Sequence, residues 1–204
     1  MRILERRSRR LTHAEFWLNS LYIKNKKGVI GVENDALRNI LTRRSIRKYT
    51  DRPVEEEKIQ LILQAAMAAP SARNLQPWEF IVLTNRENIR KLSSFSPHVG
   101  MLKESPLAIV VCGRTDPETG SPDYWVVDCS AAVQNMLLAA HALGLGGVWL
   151  SVYPRRERQE ILEKFFKLPE NIVPHSVVSI GYPAEQKEPA NRYKPERVHR
   201  ETWR

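Results

Sequence analysis

Only two cysteines, Cys112 and Cys129, occur in 204 residues. Two thiols are too few for a disulfide scaffold and cannot furnish a four-cysteine zinc site. Both sit in apolar surroundings, which suits reduced, unreactive thiols and a cytoplasmic location. No uninterrupted apolar run reaches the length of a membrane span. The richest stretch, Trp125 to Leu150, contains Asp128, Gln134, Asn135 and His141, all costly in lipid. It reads instead as a buried helix followed by a strand. The basic start of the chain is followed by no compact apolar segment and no small-residue cleavage site, so it does not read as a signal peptide. The five histidines are scattered without HxxxH or HExxH spacing, and no metal site is expected. A P-loop, a strand–GxGxxG–helix unit and a G-x-S-x-G nucleophile elbow are also missing. No acid/base pair is placed by spacing. A cofactor that brings its own chemistry fits these absences better than side-chain catalysis does.

What is present is ordinary for a soluble globular protein, with 42% apolar and 27% charged residues. The length favours one domain with a sizeable core. The formal charge of +9 is unevenly spread. Residues 1–30 hold eight Lys/Arg against two Glu, whereas residues 31–204 hold 24 against 21 Asp/Glu. Residues 1–33 therefore read as a basic leader outside the core fold, and residues 34–204 as a single domain. Such a leader binds polyanions weakly and without sequence preference, or is simply a solvated tail. A basic nucleic-acid-binding module is accordingly the competing class of function, with no specific nucleic acid and no membrane as the expected partners.

Along the chain, the leader has some helical potential over Ala14 to Tyr22, then a Lys/Gly/Asn-rich stretch from Lys24 to Gly28. Asn34 can cap a helix with Leu37, Ile40 and Leu41 on one face. Ser45 to Tyr49 looks extended. Pro53 precedes a second helix, with Glu55, Glu56 and Glu57 in its first turn and Ile59, Ile62, Leu63 and Ala66 as its apolar stripe. Glu79 to Thr84 reads as a strand, and Asn85 can cap the next helix. Leu107 to Cys112 is an unbroken apolar run suited to a sheet interior. The longest predicted helix, Asp123 to Leu143, has apolar residues on more than one stripe and Gly144 as its C-cap. It is expected to be buried on most sides. Gly147 to Val152 and Ser176 to Tyr182 are further strands. Between them a helix begins near Pro154, with Ile161, Leu162, Phe165 and Phe166 inward. The mixture is α+β or α/β, with helices outnumbering strands.

Three segments could carry chemistry. In Arg43-Arg44-Ser45-Ile46-Arg47, an extended backbone puts residues 43, 45 and 47 on one face. Two guanidinium forks flanking a hydroxyl suit a phosphate, and a solvated basic face suits the same residues equally. Pro70-Ser71-Ala72-Arg73-Asn74-Leu75-Gln76-Pro77-Trp78 offers hydroxyl and amide groups on a loop between rigid elements, where ligands commonly bind. Its plainer reading is a helix stop followed by a strand start. Gly144-Leu145-Gly146-Gly147 follows a helix and precedes a strand, so it reads as a C-cap and tight connection.

Taken in order, R-R-S-I-R-K-Y at 43–49, A-P-S-A-R-N-L-Q-P-W at 69–78 and the helix–G-L-G-G–strand at 143–151 resemble the nitroreductase family of FMN-dependent oxidoreductases. The closing N-R-Y-K-P-E-R-V-H-R-E-T-W at 191–203 is similar to the tail of a prokaryotic subgroup. The resemblance spans about residues 34–204 and implies an α+β fold, an α/β sandwich with a central mixed sheet flanked by helices. It also implies an intertwined homodimer with two FMN sites at the interface. It implies that Arg43, Ser45 and Arg47 contact FMN, with Arg44 adjacent and Arg47 near the N1/O2 edge of the ring. Pro70, Ser71 and Asn74 would come from the partner subunit. Trp149, Leu150 and Ser151 would line the ring through backbone and side chain, and Arg192 would reach the phosphate from the tail. Ser151 and Val152 stand where some members carry an acidic residue and a glycine, and the leader has no counterpart in the family. The activity implied is NAD(P)H-driven, ping-pong reduction of a small nitroaromatic or quinone acceptor. Flavin fragmentation, reductive dehalogenation or enone reduction are the alternatives within the family.

Overall fold

A computed structural model describes residues 34–115 and 124–203, together with the backbone of residues 22–25 and 28–31. Contacts divide the chain into two compact units, residues 43–188 and residues 1–42 with 189–204.

In the smaller unit, β1 (Tyr22–Asn25) pairs antiparallel with β2 (Gly28–Gly31), in a register that sets Tyr22 opposite Gly31. Four-residue strands are too short for periodicity to reveal, and Lys24 to Gly28 read only as a polar stretch. The helical potential expected from Ala14 falls outside the described residues up to position 21, and Tyr22 begins β1 instead. Helix α1 (Asp35–Thr42) starts as expected, because Asn34 Oδ1 accepts from the N–H groups of Ala36 and Leu37 at 2.9 and 3.1 Å. Leu37, Ile40 and Leu41 form its apolar face and are exposed in the single chain. In the tail, a short turn at Pro195–Arg197 precedes a stack of His199 on Trp203, 4.1 Å between ring centres.

The larger unit is built on one sheet. Its strands are β3 (Trp78–Leu83), β4 (Leu107–Arg114), β5 (Gly146–Ser151) and β6 (Ile172–Gly181), in the order β3–β4–β6–β5. Every pairing among them is antiparallel. Its helices are α2 (Glu56–Met67), α3 (Arg86–Leu92), α4 (Tyr124–Ala142) and α5 (Arg156–Phe166). On one face of β4, Leu107, Ile109 and Val111 pack in a core with Ile59, Ile62 and Ala66 of α2 and Ala132, Val133 and Met136 of α4. On the other face, Ala108, Val110 and Cys112 join Ile89 and Leu92 of α3 and Leu162 of α5. A strand covered on both faces must be apolar throughout, which is why its sequence shows no alternation. Both cysteines are buried free thiols, and burial pushes Cys112 up to about 12.

The caps follow the predicted chemistry. Asn85 Oδ1 accepts from Asn88 N–H at the start of α3. Gly144, at φ 76°, ends α4, and Leu145 N–H reaches back to the Ala140 carbonyl at 2.8 Å.

Several expectations need correction. Strands β1 and β2 were not expected, whereas among the described residues of 34–203 the five α-helices outnumber the four strands as expected. The sheet's named strands are all antiparallel, and a parallel contact enters only through a bridge between Ser45 and Gly147. On α5, Leu162 and Gln159 are buried, but Ile161 and Phe165 lie exposed on the neighbouring row because only one side of that helix meets the sheet. Helix α4 is buried on most sides as expected, and Val127, 62% exposed in the single chain, is uncovered. Strand β6 begins four residues earlier than expected. It takes Pro174 at the register shift between Val111 and Cys112, where one ladder hydrogen bond is lost anyway.

Beside the start of α2, Tyr182 O–H donates to Glu55 at 2.7 Å, Lys58 Nζ donates to the Tyr182 oxygen at 2.8 Å, and Arg52 lies over the Tyr182 ring. The Tyr182 hydrogen bond, then the backbone and Arg52, hold Glu55 down at about 2 against an ordinary 4.5. A carboxylate depressed in the folded state contributes stability that is full above its unfolded value and lost as pH falls through the folded one. The stability difference between the native chain and Glu55→Gln is therefore expected to shrink from about pH 4.5 towards pH 2. Urea midpoints of both proteins across that range check this, and a constant difference would contradict it.

Candidate functional site

Residues 43–49 form an extended segment stitched to the start of β5. Ser45 bridges Gly147, and Ile46 N–H donates to the Gly147 carbonyl at 3.1 Å. Ile46 turns inward against Gly146, where an added Cβ would lie 2.6 Å from Ile46 Cβ. The segment's far end is fixed by groups remote in sequence. Glu185 Oε1 accepts from the N–H groups of Arg47 and Lys48 at 2.6 and 3.3 Å. Lys187 Nζ donates to the Ser45 carbonyl at 2.8 Å and pairs with Glu185 at 3.1 Å. Burial alone would raise Glu185, but the Arg47 N–H and Lys187 outweigh it and hold the carboxyl low. Tyr49 O–H donates back to the Ile46 carbonyl at 2.7 Å.

The segment carries Arg43, Arg44, Ser45 and Arg47, three cations and a hydroxyl within five residues. Arg43 lies near His141 at the end of α4. Burial and then the Arg43 charge push His141 below its ordinary range. Arg44 Nε is buried and has no hydrogen-bond partner among the described residues. An orphaned buried N–H wants an acceptor, and a donor set of guanidinium forks and hydroxyl matches phosphate oxygens. The residues present therefore fit a phosphate-bearing cofactor.

The second segment is docked near the opposite end of α4. Ala72 N–H donates to Asp128 Oδ1 at 3.0 Å, and Asp128 is buried. Ser71 Oγ accepts from Gln76 N–H, and Asn74 Oδ1 from Gln76 Nε2, both at 3.0 Å. Arg73, Asn74 and Gln76 all have left-handed backbones, with φ of 52°, 57° and 49°. Three such residues in four positions store strain of the kind that clusters at ligand sites. Asp128 and His141 are 13 residues apart on one helix, about 20 Å at 1.5 Å per residue. Within one chain the Arg43 end and the Pro70–Asn74 loop are thus held apart.

At the end of β5, Trp149 is partly exposed and tilts against His175 with ring centres 5.5 Å apart. The Leu150 side chain is in the core, so only its main chain faces outward. Ser151 is exposed, and its carbonyl accepts from Arg158 at 2.7 Å. Arg192 is exposed in the tail, within the smaller unit. Glu185, Lys187, Tyr49 and His175 carry no local sequence signal. Asp128 did carry one, as an acid inside an apolar helix.

The larger unit is thus a helix–sheet–helix sandwich with a cationic, hydroxyl-bearing segment bound to its edge strand. Comparison with known proteins identifies the class. The Nitroreductase family model matches residues 40–98 and 96–182, and the chain belongs to that family. It is 51% identical over 172 residues to an NADH dehydrogenase/NAD(P)H nitroreductase of Archaeoglobus fulgidus, covering 83% of this chain and 99% of that one. It is also similar to a solved NADH dehydrogenase/NAD(P)H nitroreductase of Parabacteroides distasonis, with a TM-score of 0.79 and 48% identity over 84% of this chain and all of that one. The NADPH:FMN oxidoreductase of Vibrio harveyi, solved with NAD+, superimposes with a TM-score of 0.74 at 29% identity, covering 84% of this chain and 79% of that one. Among the described residues no helix is long and apolar enough to cross a membrane.

Proposed function

We propose that this FMN-dependent, NAD(P)H-driven oxidoreductase reduces a small organic acceptor of nitroaromatic or quinone type, with donor and acceptor using one site in turn. The observation that carries the reading is the Arg43–Arg47 segment pinned to β5, with the buried Arg44 Nε lacking an acceptor among the described residues. Bound FMN would supply the two-electron chemistry that no side-chain set here offers. Arg43, Arg44 and Ser45 would hold its phosphate, and Arg47 would lie towards the ring. Trp149, the Leu150 main chain and Ser151 would line the ring and keep water from it. Arg192 is assigned to the phosphate on the family resemblance alone.

The separation along α4 supports a homodimer. Groups at opposite ends of one helix cannot converge on one ligand, whereas two-fold-related copies can bring Pro70, Ser71 and Asn74 of one chain to the Arg43 segment of the other. The exposed Val127 and Tyr124 of α4 offer apolar surface for this. The interface should fall in the obligate class, above ~2,000 Å². Cytoplasmic operation, with no specific nucleic acid or membrane as partner, completes the reading.

The test is spectroscopic and kinetic. The purified dimer is expected to be yellow with one FMN per subunit, to bleach with NADH or NADPH, and to recover with 1,4-benzoquinone. Initial-rate lines should be parallel. Colourless or monomeric protein would overturn the site, and intersecting lines the order of events. Residues 1–33 are proposed to lie outside the FMN-binding domain. Removing residues 1–30 is expected to leave the FMN-to-subunit ratio unchanged, and apo protein would contradict that.

A further inference from the structure

One buried polar group meets the site described so far only through the Trp149 ring. His175, on β6, is almost fully buried between α4 and β5. Its Nε2 lies 3.2 Å from Ser130 Oγ on α4, and its Nδ1 lies 3.1 Å from Ser176 Oγ. The Ser130 hydroxyl proton is already committed to the Val126 carbonyl at 2.7 Å. The Val126 carbonyl also accepts from the His175 ring, so the acceptors gathered on this side assign the proton to Nε2 and leave Nδ1 to accept from Ser176. Both ring nitrogens are satisfied in one neutral tautomer, and burial pushes the imidazole down to about 4.

This fixed ring is where aromatic groups and main chain meet. Trp149 tilts onto it at 5.5 Å, and Trp125 stands edge-on at 6.2 Å. Tyr153 packs edge-on against Trp125 at 5.0 Å. The His175 carbonyl accepts from both Val152 and Tyr153 N–H, at 3.2 and 3.0 Å, just beyond Ser151. A single residue thus holds the Trp149 ring through its side chain and the chain after Ser151 through its main chain. An apolar residue of similar size would fill the space, but it would leave the Ser176 hydroxyl without its acceptor and the ring orientation unset.

We infer that His175 is a positioning residue that sets the Trp149 ring and the Ser151 end of β5, and through them the pocket in which the acceptor is reduced. The inference rests on the proposal that Trp149 to Ser151 line the flavin. Its action is indirect, so it should alter the flavin environment and the acceptor KM more than cofactor retention or fold.

The experiment uses FMN-loaded full-length protein and compares His175→Leu, His175→Gln and Ser130→Ala. For His175→Leu the visible circular dichroism of the flavin is expected to change, and KM for 1,4-benzoquinone to rise at least threefold. The FMN-to-subunit ratio should stay at one. Gln retains an N–H donor for Ser130 and should restore KM to within twofold of the native value. Ser130→Ala removes the hydroxyl beside Nε2, leaving the Val126 carbonyl alone to hold it, and should shift the dichroism in the same direction. It carries the test should His175→Leu fail to fold. Unchanged dichroism and KM in His175→Leu, or in Ser130→Ala where that variant stands in, overturn the positioning role while leaving the cofactor proposal intact. Native protein that binds no FMN overturns the cofactor proposal and this inference with it.

Discussion

Gly146→Ala is expected to destabilise the protein by about 1–3 kcal/mol through overpacking and to release FMN. The added methyl would sit 2.6 to 2.8 Å from Ile46 Cβ, Cγ2 and Cγ1. Those atoms sit at the branch point of a stiff side chain and cannot swing away. Relief must come from moving the backbone of residues 45–47 off β5, which breaks the Ser45–Gly147 bridge and the Ile46 N–H bond. In a chain of this size the thermal midpoint should fall by roughly 2–12 °C, at about 2–4 °C per kcal/mol. Displaced guanidinium groups should weaken FMN about tenfold, equivalent to ~1.4 kcal/mol. Gly100→Ala serves as the control, since a Cβ there meets nothing within 4 Å. Melting curves and FMN titrations of both variants check the expectation. A Gly146→Ala protein as stable and as yellow as the native one would show that the close approach of Ile46 does not hold the segment.

That glycine shows where sequence reading stops. Gly144, Gly146 and Gly147 were legible as the end of a helix and a tight connection, and Gly144 is indeed the left-handed cap. The demand on Gly146 comes instead from a residue 100 positions away, and no local pattern announces it. The same holds for Glu185 and Lys187, which fix the backbone of Arg47 and Ser45 across some 140 residues. Local chemistry was readable wherever it decides structure alone. The Asn34 and Asn85 caps, the unbroken run of β4 and the extended Arg43–Arg47 segment all belong to that class. The inward row of α5 was misassigned because Ile161 and Phe165 are as apolar as Leu162. Which row meets the sheet depends on how the helix is docked, and here Gln159 takes the inner position. The left-handed residues at 73, 74 and 76 were equally hidden, since Arg and Gln do not favour that region and only the surrounding bonds impose it.

Arg47→Ala is expected to lower the flavin midpoint potential, whereas Arg43→Ala is expected to lower FMN retention. The two residues share a face of one extended segment, but they are anchored differently. The Arg43 charge is felt by His141 at the end of α4, and Arg47 is held by Glu185 through its main chain, which leaves the Glu185 oxygen engaged with N–H groups. If Arg47 faces the ring, as proposed, two-electron reduction places negative charge near a fixed cation, and the reduced state gains more than the oxidised one. A charge pair at ~4 Å is worth about 4 kcal/mol at an effective dielectric of 20, before desolvation and screening. With ~1–3 kcal/mol surviving, and about 30 mV per 1.4 kcal/mol for two electrons, Arg47→Ala should lower the midpoint by roughly 20–60 mV. Arg47→Lys should lower it less, because the charge remains while the planar fork is lost. On the proposed assignment Arg43→Ala would remove a phosphate ligand far from the redox-active ring, so its cost should appear as FMN dissociation with a smaller change in potential. Midpoint potentials of the reconstituted variants decide the matter. An unchanged or more positive value for Arg47→Ala would place its guanidinium away from the ring, and Arg43→Ala protein that retains FMN as tightly as the native chain would remove Arg43 from the phosphate site.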